Sequence, residues 1–343
     1  MVCGVVKANA YGHGMIRVAK ALELAGVDYL GVADVREGIE LRESGIQIPV
    51  LAWLHDAEED FVSALNHKIE LGISSKNQLD RVAKAAARTG IVPKLHLKID
   101  TGLGRNGSTE DQWLPLLNAV LALGGAVEVV GIFSHLSSTN REEDLAQIER
   151  FDAAVLVAKQ AGVNFRLRHL TASDGSLSYP QAHYEMVRIG VALYGLDPFS
   201  TNRAAEFGLI PAMTAISKVS QVKVVPANHG VSYNYLHRTA AQTKLALIPV
   251  GYAEGLPRAA STFAEVLIAG KRFKIQSQIA MDQFVVDVGD ADIAAGDEVV
   301  IFGDANTGAP SADDLASVCA TINYEIVTRM GGRFVREYVE GRA

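Results

Sequence analysis

The first part of the chain alternates short apolar runs with longer segments of helical spacing. Val2 to Val6 is an apolar run typical of a buried strand, and apolar residues then recur at helical spacing between Met15 and Gly26. Further strands are predicted over residues 29–33, 50–54, 69–74, 94–100, 127–135, 165–171 and 186–194. Strand–helix units repeated in this way predict a closed (β/α)8 barrel, the TIM barrel.

An open, doubly wound parallel sheet is the alternative fold for this alternation. It favours a glycine-rich phosphate loop with GxGxxG spacing after its first strand. Gly12 and Gly14 follow the first strand here without the third glycine. The barrel also accounts for polar residues near the carboxyl ends of predicted strands, because barrel active sites are built at that end. These residues are Lys7, Lys98, His135, His169 and Arg188.

The last part of the chain changes to a period of two. Apolar and polar residues alternate over residues 213–225, 244–250, 265–275 and 283–288. This alternation is typical of a mostly antiparallel β domain. One helix is predicted over residues 310–319, with Ser311 as its N-cap and Asp314 three residues later. We therefore expect two domains, a barrel over residues 1–205 and a β domain over residues 206–343.

Composition and charge limit the class of protein and the partners that we expect. The chain has 343 residues, of which 49% are hydrophobic, and a net charge of −7. We expect a globular protein, and the lack of a basic block argues against nucleic acid as a partner. The longest weakly polar run, residues 119–133, is too short to span a membrane, and we expect no signal peptide. Cys3 and Cys319 suit a reduced compartment, so we expect a cytoplasmic protein. We also expect no metal site.

Lys7 stands at the carboxyl end of the first predicted strand. Because burying an ammonium is costly, a lysine there suits an amine that is desolvated, lowered in pKa and nucleophilic towards a carbonyl. The alternative is a lysine that only leaves the core where the strand ends. Arg188 raises a similar question, since an arginine inside an apolar strand is rare unless it is paired. A structural ion pair is one explanation, and a functional site is the other.

Residues 5–14, VVKANAYGHG, resemble the cofactor-lysine motif of the alanine racemases. In that family the lysine binds pyridoxal 5'-phosphate (PLP) covalently. Further segments resemble motifs of the same family at residues 100–105, 186–191, 231–233, 249–255, 280–283 and 322–325. The resemblance covers the chain from residue 2 and implies an isomerase that interconverts L-alanine and D-alanine. It also implies a homodimer and a supply of D-alanine for cell-wall peptidoglycan.

The resemblance implies a set of residues around the cofactor. Lys7 would carry it, Arg188 would face the pyridine nitrogen, and His169 would orient this arginine. Because arginine keeps its proton, the nitrogen would stay unprotonated and transamination would be disfavoured. His135 would pack on the ring. The phosphate would be bound by backbone and hydroxyl groups of Tyr11, Ser173, Gly190, Val191 and Tyr324.

Racemisation needs a group that transfers a proton on each face of the substrate's α-carbon. The resemblance assigns one face to Lys7 and the other to Tyr233 of the partner subunit. A phenol needs a cationic neighbour to act as a base, and Arg105 matches the arginine beside the substrate carboxylate. Lys98 matches a lysine that supports this arginine and is carbamylated in many members. The other substrate and supporting positions are Tyr252, Met281 and Asp282.

The chain departs from the family pattern at several positions. The family usually has asparagine where this chain has Ala172, and glycine where it has Asn234. It usually has aspartate where this chain has Glu254. Two further departures, Asn140 and Gln278, replace an aspartate and an arginine of the substrate corridor. We expect these two amides to preserve the contact between the positions while making the corridor neutral.

Two other classes of protein remain as alternatives. A PLP-binding barrel protein without racemase activity would lack the β domain that carries Tyr233. A truncated and inactive racemase is the second alternative, because family members usually carry one more strand and helix before the lysine strand.

Overall fold

In the computed structural model, which describes residues 1–339, eight parallel strands form one sheet. They are β1 (Val2–Val5), β2 (Tyr29–Val32), β3 (Val50–Ala52), β4 (Glu70–Ile73), β5 (Lys94–Lys98), β6 (Glu128–Phe133), β7 (Leu167–His169) and β8 (Val187–Ile189). Neighbours along the chain pair in parallel, and β8 pairs with β1. The backbone N–H of Arg188 donates to the Thr171 carbonyl at 3.0 Å, just beyond β7. The sheet is nearly closed, so the predicted (β/α)8 barrel is confirmed.

Helices lie between the strands, as the alternating pattern predicts. After the one-turn segment α1 (Lys7–Tyr11) they are α2 (Met15–Leu24), α3 (Val35–Glu43), α4 (Phe61–Asn66), α5 (Lys76–Thr89), α6 (Glu110–Leu123), α7 (Arg141–Ala161) and α8 (Ser173–Ser178). Local sequence sets their ends. The Ser75 side chain caps the start of α5 by accepting from the Gln78 N–H, and Gly90 ends this helix in the left-handed conformation.

All eight predicted barrel strands are longer in the sequence pattern than in the structure, and the last two differ most. The segment 186–194 keeps its strand only to Ile189, and Val191–Tyr194 turns into a 3-10 helix. The segment 165–171 is a strand only over Leu167–His169. Apolar runs continue past the ends of both strands because the flanking turns are also buried.

Contacts between residues divide the chain into two compact units. Met1–Ala10 and Gly14–Gly190 form the first unit. Tyr11–His13 and the described residues from Val191 onward form the second. The lysine strand, the barrel and its helices therefore belong to the first unit, whereas the three residues Tyr11–His13 belong to the second.

The second unit is built from antiparallel strands in three sheets. The strands are β9 (Ala215–Lys218), β10 (Gln221–Val225), β11 (Gly230–Val231), β12 (His237–Arg238), β13 (Thr243–Ile248), β14 (Glu265–Ile268), β15 (Lys271–Lys274), β16 (Phe284–Gly289) and β17 (Glu298–Phe302). β10, β13 and β16 form one sheet, β11 and β12 form a second, and β15, β14, β17 and β9 form the third. The predicted antiparallel character is confirmed.

The boundaries within this unit differ from the sequence pattern. The predicted strand 213–225 is broken into β9 and β10, and 265–275 folds back as the β14–β15 hairpin. Ala269 and Gly270 make this turn with φ values of 47° and 75°. The helix expected near 310–319 is α9 (Ala312–Val318), and the Ser311–Asp314 capping box is present. Strand β17 and helix α10 (Asn323–Arg329) were not predicted.

Candidate active site

Lys7 follows the buried strand β1 at its carboxyl end. Its side chain is partly buried, and this burial is the main cause that lowers the pKa of its amine. The positive charges of Arg105 and Arg188 lower the pKa further, whereas the Glu37 carboxylate raises it. A lowered pKa leaves more of the amine neutral near pH 7, and the neutral amine is the nucleophilic form.

The backbone after Lys7 makes a left-handed turn. Ala8, Asn9 and Ala10 have φ values of 52°, 54° and 54°, a region that disfavours residues with a Cβ atom. Side-chain hydrogen bonds hold this conformation. Glu37 accepts from the Ala8 N–H at 2.7 Å, and the Asn9 side chain accepts from the backbone N–H of the first residue of α2 at 2.8 Å. Surrounding structure therefore fixes a strained turn directly beside the lysine.

Arg188 lies in the middle of β8 with its guanidinium buried in the barrel. Nη1 donates to Nδ1 and to the carbonyl of His169 at 3.0 and 2.8 Å. Nη2 donates to the carbonyls of Ser134 and Leu170 at 2.7 and 2.9 Å and to Nδ1 of His135 at 3.1 Å. Burial lowers the pKa of Arg188 to about 10, so the side chain stays cationic near pH 7. These bonds fix the orientation of the guanidinium.

Lys98 and His135 share this positively charged environment. Burial, followed by the charges of Arg188 and Arg105, lowers the pKa of Lys98 to about 8. Burial and the same two arginines hold the pKa of His135 well below its usual value. Arg105 itself is exposed, in the turn that follows β5. The structure thus brings Lys7, Lys98, His135, His169 and Arg188 together in the first unit, as expected from their strand-end positions, and Arg105 joins them from the turn after β5.

The expected phosphate-binding groups of the first unit lie against each other. The Gly190 N–H donates to the Ser173 hydroxyl at 3.0 Å. Ser173 is buried at the first position of α8, and Ala172 precedes it without a side-chain cap. The hydroxyl and the backbone of the two elements are therefore adjacent, and the missing asparagine at position 172 has not separated them.

The other expected hydroxyl groups belong to the second unit. The ring of Tyr11 lies 4.9 Å from Tyr194 and 6.1 Å from Tyr324, measured between centroids. The imidazole of His13 stacks on Tyr194 at 4.5 Å. Burial raises the pKa of Tyr11 to about 12, so its hydroxyl keeps its proton and can donate a hydrogen bond. Val191 is buried at the start of the 3-10 turn that ends at Tyr194.

Tyr233 lies on an exposed loop between β11 and β12. Its side chain is 66% exposed, and Asn234 after it has a φ of 62°. The Ser232 hydroxyl donates to the backbone carbonyl of Gln278 at 3.1 Å. The Asn234 amide donates to the side-chain oxygen of Gln278 at 3.2 Å. The loop is thus anchored on both sides of the tyrosine.

The remaining expected substrate residues lie on two paired segments of the second unit. The Tyr252 N–H donates to the Ala280 carbonyl at 3.1 Å, and the side chains of Tyr252 and Met281 are exposed. Asp282 accepts from Arg333 at 2.7 Å, and the same arginine bonds the buried carboxylate of Glu254. The glutamate that replaces the usual aspartate therefore has a structural partner.

Sequence comparisons identify the family. The family description "Alanine racemase, N-terminal domain" matches residues 1–198, and "Alanine racemase, C-terminal domain" matches residues 212–338. The chain belongs to the alanine racemase family. An alanine racemase of Frankia casuarinae is 46% identical over 341 residues, which are 98% of this chain and 89% of that protein.

Solved structures of alanine racemases are similar to this chain. The alanine racemase from D-cycloserine producing Streptomyces lavendulae superposes with a TM-score of 0.96 and is 42% identical in sequence. The alignment covers 99% of this chain and 91% of that enzyme's chain. The enzyme from Streptomyces coelicolor A3(2) gives a TM-score of 0.96 at 38% identity, over 99% of this chain and 92% of its own. Membership of the alanine racemase family makes the chain an isomerase that acts on amino acids.

The first unit fits the cofactor that the alanine racemase resemblance implies. PLP carries an aldehyde, an anionic phosphate and a ring nitrogen with a lone pair. Lys7 offers an amine of lowered pKa, and Arg188 offers only hydrogen-bond donors. Lys7, Lys98, Arg105 and Arg188 concentrate positive charge at one end of the barrel, as the lowered pKa values of three of them show. An anionic ligand would offset this repulsion.

Three features of the site were missed from the sequence. Glu37 fixes the left-handed turn and raises the pKa of Lys7, and its helix gave no sign of this contact. Tyr194 packs between Tyr11 and His13 but was interpreted as the end of a strand. His96 lies behind His169, and its place between two leucines in an apolar strand was a usable signal.

Within residues 1–339, no group of three or more His, Cys, Asp or Glu could hold a metal ion. Nor does any helix in that range combine the length and apolar character needed to cross a bilayer.

Proposed function

We propose that the chain interconverts L-alanine and D-alanine with PLP as its cofactor, using Lys7 and Tyr233 of the partner subunit as the two bases. The observation that carries this proposal is the amine of Lys7, which lies at a barrel strand end with a pKa lowered by burial and by Arg105 and Arg188. When bound to an amino acid, PLP withdraws electrons from the α-carbon and weakens its C–H bond.

Lys7 supplies the proton transfer on one face of the substrate. Lys7 would hold the cofactor through its Nζ atom, and with a substrate bound this amine would serve as the base on that face. The neutral amine, favoured by the lowered pKa, can then accept the α-proton, and the ammonium can return a proton to the same face. The left-handed turn held by Glu37 fixes the backbone from which this side chain extends.

Tyr233 supplies the transfer on the opposite face. Its exposure and its tethered loop support a role at a surface between subunits, because an exposed phenol on a fixed loop can be presented to a second chain. A two-fold dimer would then contain two complete sites. Arg105 would lie beside the substrate carboxylate and the phenol and would favour the ionised phenol as a base, with Lys98 supporting it.

Arg188 limits the chemistry to racemisation. All of its N–H groups are donors, so a ring nitrogen opposite them must remain an acceptor without a proton. The ring would then withdraw fewer electrons from the substrate. Side reactions such as transamination are disfavoured, and His135, bonded to Arg188, would pack on the ring.

The remaining parts of the proposal concern the other contacts and the context. Ser173, Gly190, Val191, Tyr11 and Tyr324 would bind the phosphate, and Met281, Tyr252 and Asp282 would line the substrate side. The enzyme would act as a cytoplasmic homodimer that supplies D-alanine for peptidoglycan. We also propose residues 1–205 and 206–343 as its two domains. The match of the C-terminal family region to residues 212–338 disfavours a PLP-binding barrel protein without that domain.

Borohydride reduction of the holoenzyme followed by peptide mapping tests the assignment of the cofactor. The pyridoxyl label should appear on Lys7, and D-alanine should form from L-alanine before reduction and not after it. Lys7→Ala should lose both the label and the activity, whereas Lys20→Ala, on the exposed surface of α2, should keep both. A label on any other lysine would overturn the assignment.

A further inference from the structure

A row of four polar side chains crosses the interior of the barrel behind the proposed cofactor site. His169 bonds Arg188 through Nδ1 at 3.0 Å, and its Nε2 lies 2.8 Å from Nδ1 of His96. Nε2 of His96 lies 2.9 Å from Oε2 of Glu70. Glu70 is 4% exposed and both histidines are fully covered. We call Glu70, His96, His169 and Arg188 the histidine relay.

The hydrogen bonds of the histidine relay are consistent with only one placement of protons on the two imidazole rings. A guanidinium has no acceptor, so Nδ1 of His169 must accept from Arg188. Burial holds the pKa of His169 well below its usual value and lowers that of His96, so each ring is neutral and carries one proton. Nε2 of His169 therefore donates to Nδ1 of His96, and Nε2 of His96 donates to the Glu70 carboxylate.

The relay also links Arg188, which has no carboxylate bonded to its Nη atoms, to a carboxylate farther away. The acceptors around the Arg188 Nη atoms are three carbonyl oxygens and two imidazole nitrogens, all of them neutral. Buried charges are normally paired. Here the carboxylate of Glu70 lies at the far end of two neutral histidines, at the first position of β4, where Lys94 approaches it at 3.8 Å.

Neighbouring residues keep the two rings in place. The ring of Phe133 stacks on His169 at 4.8 Å, and Tyr29 meets His96 edge-on at 6.1 Å, between centroids. Gly131 on β6 leaves the space that His96 occupies, since a Cβ atom there would lie 2.9 Å from Nδ1 of His96. The rings therefore have little freedom to turn away from the relay.

We propose that Glu70 and His96 are positioning residues for Arg188, because the Glu70 carboxylate fixes both histidines in the tautomer that offers Arg188 a lone pair. The inference deepens the proposed function, since it rests on the role of Arg188 at the cofactor ring. Without the carboxylate, either histidine can change tautomer. His169 would then present an N–H to the guanidinium, and Arg188 would turn away from the ring nitrogen.

Two-bond ¹H–¹⁵N correlation of the holoenzyme labelled with ¹⁵N-histidine tests the tautomers directly. His96→Gln and His169→Gln identify the two signals among the nine histidines. Both residues should carry their proton on Nε2 near neutral pH. A proton on Nδ1 of either histidine would overturn the proposal, whatever the activity of the enzyme.

Glu70→Met tests whether loss of the carboxylate changes the tautomers and disturbs Arg188. Both histidines should lose their single tautomer, and kcat should fall about tenfold, the lower end of the loss seen when hydrogen-bond partners of metal-bound histidines are removed. KM should change much less than kcat. The absorption spectrum of the bound cofactor should shift, because its ring nitrogen loses a fixed partner. Glu128→Met, at the same end of the barrel on β6, is the matched control and should leave the signals of His96 and His169, the spectrum and kcat unchanged.

Gly131→Ala is a second variant that leaves the carboxylate in place. Its added methyl group should displace His96 and disturb the same two signals. Unchanged tautomers in both Glu70→Met and Gly131→Ala would contradict the proposal. If wild-type tautomers are as expected but no racemase activity is found, the relay stands and the proposed function fails.

Discussion

The Asn234 side-chain amide donates a hydrogen bond to Oε1 of Gln278 at 3.2 Å. The expected contact between Gln278 and Asn140 stays a prediction. Within the first unit, the Asn140 side chain caps α7 by accepting from the Glu143 N–H at 2.9 Å. Asn234 has a positive φ, and asparagine tolerates this region better than other residues with a side chain. An asparagine can therefore replace the usual glycine and add a bond to Gln278.

Gln278→Ala should loosen the loop that carries Tyr233. One net hydrogen bond contributes about 1 kcal/mol, so amide exchange over residues 230–238 should rise about fivefold. Racemase kcat should fall several-fold because the phenol is less well placed, while cofactor binding is retained. Gln276→Ala, two residues earlier, is the control and should change neither quantity. Unaltered exchange in Gln278→Ala would show that this glutamine does not hold the loop.

Ala8→Gly should stabilise the chain or leave it unchanged. Ala8 is exposed and has a φ of 52°, where a Cβ atom is unfavourable by about 1–2 kcal/mol. Glycine removes this strain, and the gain offsets its larger loss of entropy on folding. The same substitution in a right-handed helix should instead lower the free energy of unfolding. Ala87→Gly, on the exposed side of α5, should lower the free energy of unfolding by about 1 kcal/mol.

Urea unfolding of the two variants measures this difference. The free energy of unfolding of Ala8→Gly should equal or exceed that of the wild type, and that of Ala87→Gly should be lower. A loss of about 1 kcal/mol in both variants would mean that the turn after Lys7 is not strained.

Local sequence periodicity was sufficient to predict the barrel. The change from helical spacing to a period of two marked the start of the antiparallel strands, and polar residues at strand ends marked the site. Lys7 and Arg188 stood out because each interrupts an apolar run. Family resemblance then added roles that periodicity alone does not give.

Contacts distant in sequence could not be predicted in this way. Glu37 meets the turn after Lys7 only because β1 and β2 are neighbours in the closed sheet. His96 and His169 meet because the barrel directs residues of β5 and β7 into one interior. These contacts between strands depend on strand register and tilt, which the apolar pattern of a single strand does not specify.

Lys98 should make stability depend on pH. Its pKa is about 8 in the folded chain, against about 10.4 in an unfolded chain. Between these values the unfolded state binds more protons, so the free energy of unfolding should rise with pH. Relative to Lys98→Met, the wild type should gain on the order of 3 kcal/mol over this window. Unfolding in CO₂-free buffers from pH 8 to pH 10.4 measures the gain, and parallel profiles of the two proteins would contradict it.

Subunit complementation tests the shared two-base site most directly. Lys7→Ala and Tyr233→Phe should each be inactive, and Tyr233→Phe should still bind PLP on Lys7. After equal amounts exchange subunits at random, half of the dimers are mixed and each has one site with both residues, so about a quarter of wild-type activity should return. A monomeric chain, or no recovery despite demonstrated exchange, would contradict the account, because Lys7 and Tyr233 would then not act across a dimer.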